Sequence, residues 1–92
     1  DLPLIVGKID IKKFLDLKKK LINNGFKLND FEKFYFFKSS RWDLLFKNKI
    51  IVKLSIDNLD VSLTLLKDII ENSNLNDVKI IDLRIKKRVI LS

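Results

Sequence analysis

Three short runs rich in aromatic and β-branched residues follow one another between Phe31 and Leu54, and they restrict what this chain can fold into. Phe31 to Lys38, Arg41 to Lys47 and Ile50 to Leu54 are interrupted only by "SS" and "KNK". Such residues suit a pleated, half-buried surface, so the pattern predicts three consecutive antiparallel strands. A two-residue turn at Ser39-Ser40 sets Phe37 opposite Trp42, Tyr35 opposite Leu44 and Glu32 opposite Lys47, all favourable pairs. Alternation then gives Tyr35, Phe37, Trp42 and Leu44 one inner face. It leaves Phe34, Phe36, Leu45 and Ile51 on the other, where a contiguous apolar patch wants a cover.

The second connection is constrained by parity. Trp42, Leu44 and Phe46 share a face with Ile50, Val52 and Leu54 only if the loop holds an odd number of residues, because a one-residue slip turns a whole set outward. Lys47-Asn48-Lys49 satisfies this. Such loops favour glycine at their left-handed position, and none is present, which implies strain or Asn48 in that role.

Helical spacing flanks this block. Ile11, Phe14, Leu15, Leu21 and Ile22 recur at helical intervals within Lys8 to Asn24, opposite Lys12, Lys13, Asp16, Lys19 and Lys20. Asp10 suits the N-cap and Gly25 the stop. Leu59, Leu63, Leu66 and Ile70 mark a second helix over about Leu59 to Ser73, capped by Asn58 or Asp60. Leu2 to Val6, with Pro3 near its start, reads as an edge strand. A closing hairpin is expected from Val78 to Arg84 and Arg88 to Leu91. The expectation is an α+β fold: a mostly antiparallel, twisted sheet with two helices packed on its inner face, residues 1–92 forming one domain.

Composition excludes much chemistry. The chain has no cysteine and no histidine, so it lacks a thiol nucleophile, thiolate zinc site, imidazole base and pH switch. With two glycines in all, it has no phosphate-cradling loop, and no nucleophile has an evident base. We expect no enzymatic activity, no cofactor and no metal. Asp82 and Arg84, two apart on one strand, share a face and read as an ion pair. No apolar run approaches the ~20 residues that cross a bilayer.

The net charge of +7 makes a polyanion a partner to consider. "FYFFKSSRW" interleaves aromatics with cations as single-strand nucleic-acid platforms do, but alternation assigns most of those rings to a core. A small basic nucleic-acid-binding domain is therefore the alternative reading, with affinity that falls steeply with salt. "LKKKL" in the first helix suits a solvated face, or contact with anionic headgroups.

The chain closes on "KIIDLRIKKRVILS", two aliphatic and β-branched runs hinged on Lys86-Lys87. The outer run reads as a sheet edge with free backbone groups, its cations discouraging indiscriminate pairing while favouring an acidic partner.

Taken in order, these residues resemble the periplasmic carboxy-terminal β-domain of the bacterial cell-division FtsQ family (DivIB in Gram-positive bacteria). "LPLIVG" is similar to the family's Leu-Pro-hydrophobic-Gly lead-in, "RWDLLFKNKIIVKL" to its Trp-containing hairpin, and "IIDLRIKKRVI" to its Asp-Leu-Arg strand and the strand after it. The resemblance implies a non-enzymatic divisome scaffold on the periplasmic side of the inner membrane, at the division septum. It also implies a single membrane helix and a POTRA domain upstream, neither of them in this sequence. The implied partner is FtsB, with FtsL, whose strand adds to the terminal edge. Arg84 matches the family arginine that can pair with a partner acid. Ile85 stands where many members carry tyrosine, and Arg88 stands at or near the place of a turn glycine that many members carry and this chain lacks, a form that resembles the alphaproteobacterial branch. Arg84, Ile85, Arg88, Val89, Ile90 and Leu91 are the expected partner-binding residues.

Overall fold

The computed structural model describes residues 2–8, 10–85 and 88–92. The three expected strands form, as β2 (Phe31–Phe37), β3 (Arg41–Phe46) and β4 (Ile51–Ser55), each antiparallel to the next. They make the middle of a six-stranded sheet whose spatial order is the chain order. β1 (Leu4–Val6) borders β2, while β5 (Ile80–Asp82) borders β4 and carries β6 (Ile90–Leu91) on its far side.

The sheet is mixed, so the mostly antiparallel expectation holds only in part. β1 runs parallel to β2 and β5 parallel to β4, against three antiparallel pairings elsewhere. The helices are the reason. A parallel neighbour cannot be reached by a tight turn and needs a crossover, usually helical. Helix α1 (Ile11–Asn23) makes the β1 to β2 crossover, and α2 (Leu59–Asn72) makes the β4 to β5 crossover. Both step the same way across strands of the same polarity, so crossovers of the usual right hand put both helices on one face. There the Thr64 hydroxyl of α2 donates to Asn24 Oδ1 at the end of α1, at 2.8 Å.

Local signals set the helix ends. Asp10 Oδ1 accepts the Lys13 N–H at 3.3 Å, and Gly25 takes φ +85° just past the C-cap. The buried stripe of α1 is not the expected one. Leu17 and Leu21 are buried with Phe14 packed beside them, whereas Ile11, Leu15 and Ile22 are exposed. α1 carries more apolar residues than one contact face can cover. In α2, Leu59, Leu63 and Leu66 are buried as expected, with Ile69 beside them and Ile70 half-buried. Together with Trp42, Leu44, Val52, Leu54 and Ile81 they close one core.

The first hairpin differs from expectation by one residue. Its loop is Lys38 to Ser40, so Phe37 pairs with Arg41, Phe36 with Trp42 and Phe34 with Leu44. Ser40 stands at φ 62° and its N–H donates to Phe37 O at 3.2 Å, the pattern of a three-residue loop ending in a left-handed residue. Phe34 is consequently fully buried, its ring 6.2 Å from Phe14 and 6.4 Å from Trp42. Phe36 packs on Trp42 at 4.8 Å. Tyr35 and Phe37 turn to the other face, with Leu45 and Ile51. Helix α1 and the neighbouring rings therefore cover Phe34 and Phe36.

The second hairpin keeps the expected parity. Lys49 N–H donates to Phe46 O at 2.9 Å, and Phe46 N–H to Ile50 O at 2.9 Å. Lys49, at φ 77°, takes the left-handed position rather than Asn48, whose Oδ1 accepts the Ile50 N–H at 3.1 Å. A register shift between Phe31 and Lys33 turns Glu32 to an ion pair with Lys49 instead of Lys47. Each left-handed non-glycine residue costs about 1–2 kcal/mol. At β1 the chain meets a harder limit: Gly7 has φ +111°, and a Cβ there would lie 2.6 Å from Phe36 O.

The observed register predicts an asymmetry. Phe34→Ala should cost about 3–5 kcal/mol in urea unfolding, as for a buried aromatic, whereas Phe37→Ala should stay within about 1 kcal/mol. The register expected from a two-residue turn reverses that order. Ser40→Gly should raise stability by about 0.5–1 kcal/mol by relieving the left-handed strain.

Candidate partner-binding edge

The closing ribbon is anchored on its inner side. Ser92 N–H donates to Ile80 O at 2.9 Å and Ile80 N–H to Ser92 O at 3.0 Å, so these residues exchange both bonds. Ile81 faces Leu91 and Asp82 faces Ile90 in the same ladder. Hydrogen-bonded and non-hydrogen-bonded pairs alternate in an antiparallel ladder. The N–H and C=O of Leu91 therefore point away from β5, while those of Ile90 point toward it. β6 is last in the sheet, and no strand among the described residues lies beyond it. The turn expected on Lys86-Lys87 lies outside the described residues.

The six expected partner-binding residues divide between the two faces of this ribbon. Leu91 pairs with buried Ile81 and belongs to the helix side, whereas Ile90 pairs with Asp82 and belongs to the outer side. Val89, Ile90 and Leu91 are 37%, 39% and 45% exposed, so the edge lies open on both faces. Ile85, also exposed, borders a shallow depression with Val61 and Leu65 of α2, and Arg88 stands at its rim. The Arg88 N–H donates to Ile85 O at 3.1 Å. Val61 and Leu65 were not anticipated as site residues. Their signal was available, since two apolar residues four apart lie off the buried stripe of α2.

Arg84 turns to the outer face and is not free. Its Nε and Nη2 donate to the two oxygens of Asp82 at 2.9 and 2.7 Å, and its backbone N–H adds a third bond at 3.1 Å. The expected Asp82–Arg84 ion pair is therefore formed. Of the five guanidinium donors three remain available, so Arg84 can hold a second carboxylate without releasing the first. The pair ends a polar row that crosses the outer face, Tyr35–Asp43–Lys53–Asp82 by register, with apolar Ile90 of β6 beyond it.

Charge follows from these contacts. The hydrogen bonds from Arg84 hold the Asp82 carboxyl below the usual carboxylate range, and Asp82 raises the Arg84 guanidinium. Burial pushes Asp43 the other way, against the opposing fields of Arg41, Lys53 and Arg84. Arg41 Nε lies 3.2 Å from Asp43 Oδ1 without hydrogen-bond alignment, and its guanidinium stacks over Phe37 at 4.1 Å. The aromatic run offers no open stacking platform: Phe34 and Trp42 are in the core, and Phe37 is capped by Arg41. Among the described residues no cluster of acidic side chains is arranged to hold a metal ion, and no helix is long and apolar enough to cross a membrane.

Two helical crossovers around a central meander, ending in a ribbon with flanking charge and no further strand beyond it among the described residues, define an α+β domain with an open sheet edge. The chain matches the family model for cell division protein FtsQ/DivIB, C-terminal, over residues 1–84, and it belongs to that family. The matched span ends just before β6. A search of the curated proteins found no match for the chain. The family is one of non-enzymatic division scaffolds, with partners among the division proteins at the septum.

The Asp82 carboxyl is depressed in the folded state, so its contribution is fully present above the unfolded pKa and is lost as pH falls through the folded value. Asp43 has the opposite sign: its raised value penalises the fold at neutral pH, and acid relieves that penalty. The stability advantage of the native protein over Asp82→Asn should therefore be largest near neutrality and vanish in acid. Urea midpoints measured across the carboxylate range check this.

Proposed function

We propose that this chain is the partner-binding β-domain of a divisome scaffold that captures FtsB, together with FtsL, by strand addition along β6. The parent protein sits on the periplasmic side of the inner membrane, anchored upstream and carrying a POTRA domain. One observation carries the reading: Leu91 directs both backbone groups outward from the last strand of the sheet, with exposed apolar side chains on either side. A partner strand laid there gains main-chain bonds, and its side chains select the register.

The flanking groups give this edge a preference. Arg84 retains donors for an acidic partner residue on the outer face, and Arg88 adds a second cation near the turn. On the helix side, Ile85 lies in the depression beside Val61 and Leu65, which suits an apolar partner residue. Where many relatives carry a tyrosine, Ile85 supplies aliphatic contact without a ring, so the partner pocket here takes an aliphatic rather than an aromatic complement.

The discriminating substitution falls on Leu91, not Ile90. Proline at Leu91 removes an outward donor while leaving the bonds to β5 intact, whereas proline at Ile90 removes an inward one. Leu91→Pro should weaken FtsB binding on the order of tenfold or more with an unchanged circular dichroism spectrum. Arg84→Glu should also weaken it by roughly tenfold, with a reduced salt dependence. Wild-type affinity in a folded Leu91→Pro protein would remove strand addition from the reading.

A further inference from the structure

Away from both sheet edges, the helix side of the molecule holds a cavity of about 400 Å³. It opens between the C-terminal half of α2, the turn after α1 and the loop joining β3 to β4. Phe26, Phe46, Ile50, Ile70, Leu75 and Ile81 provide an apolar lining, of which Phe26, Ile50 and Ile81 are buried. Its volume falls in the range of small-molecule sites, roughly 300–1,000 Å³. Nothing in the strand-addition reading uses it.

The rim is cationic on balance, with two lysines against the single carboxylate of Asp30. Lys47 and Lys67 both border the opening, and neither takes part in an ion pair among the described residues. Lys67 is held in place: its ammonium lies 5.0 Å from the centre of the Phe26 ring and donates to Gly25 O at 3.3 Å. An ammonium has three donors, so two remain for a ligand. Of the other polar groups at the rim, Asn29, Asp30 and Asn48, the last two already accept backbone bonds. Asp30 Oδ2 accepts the Lys27 N–H at 2.9 Å, and Asn48 Oδ1 accepts the Ile50 N–H at 3.1 Å.

We infer that this cavity binds a small amphiphilic monoanion, an acyl chain bearing one carboxylate, with the chain over Phe26, Ile50 and Ile81 and the carboxylate on Lys67 and Lys47. An extended peptide is the less suited occupant, because the open ladders of this sheet run along β1 and β6 and not here. The apolar lining supplies the bulk of the affinity, and the two ammonium groups select the charged form over a neutral analogue.

The test uses decanoate and decanol, both below their aggregation or solubility limits, titrated into the isotopically labelled 92-residue chain. Decanoate should shift the amide signals of Phe26, Lys47, Ile50, Lys67 and Leu75 saturably and leave those of Val89 to Leu91 unmoved. It should bind about tenfold more tightly than decanol. Lys67→Gln, at the half-buried rim, should erase most of that difference while leaving decanol unaffected, and Ile70→Trp should fill the space and abolish both. Circular dichroism checks that each variant is folded, and Leu75→Trp serves in place of Ile70→Trp if that protein unfolds. The inference is overturned by an absence of saturable shifts, by shifts confined to the β6 ribbon, by unchanged decanoate affinity in Lys67→Gln, or by tighter binding of a capped acidic peptide than of decanoate.

Discussion

One apolar row crosses the whole sheet and holds the rest of the molecule in place. By register it runs Ile5–Phe34–Leu44–Val52–Ile81–Leu91, one residue from each strand, on the face that both helices cover. Its four central members are fully buried. Because side chains alternate along a strand, fixing this row fixes which residues of every strand point to solvent. The polar row Tyr35–Asp43–Lys53–Asp82 on the opposite face is therefore a corollary of the core. So is the outer position of Arg84, two residues beyond Asp82.

The same row links fold to function. It does not close at Leu91: the last member is exposed and has no further strand neighbour among the described residues. An added strand would extend both rows, placing an apolar side chain next to Leu91 on the helix side and a polar or charged one within reach of Arg84 on the other. Membership of the FtsQ/DivIB C-terminal family gives a division context for such an edge.

How much of this could be read from sequence varies by element, for physical reasons. Parity settled the second hairpin, since both of its strands carry an unambiguous apolar alternation and only an odd loop reconciles them. The first hairpin lacked that check, because Phe34, Tyr35, Phe36 and Phe37 are all aromatic and either register satisfies the pattern. There the decision rested with Ser40, whose left-handed backbone nothing in its residue type announces. The helices were legible, but their consequence for strand direction was not. α1 and α2 were placed as coverings of the sheet, whereas as crossovers they also dictate parallel pairing at β1 and β5. At the candidate edge, the spacing of Asp82 and Arg84 gave the ion pair. Leu91's place in the core row and the proximity of Val61 and Leu65 to Ile85 depend on tertiary register, which a lone chain read end to end does not display.

Finally, β6 is only two residues long. A ladder of that length offers an incoming polypeptide very few main-chain bonds, each contributing about 0.5–1.5 kcal/mol net. Brevity of this kind makes the border a poor template for indiscriminate stacking. If a partner strand adds there, as proposed, discrimination passes from the peptide backbone, which every sequence shares, to the handful of side chains around the ribbon.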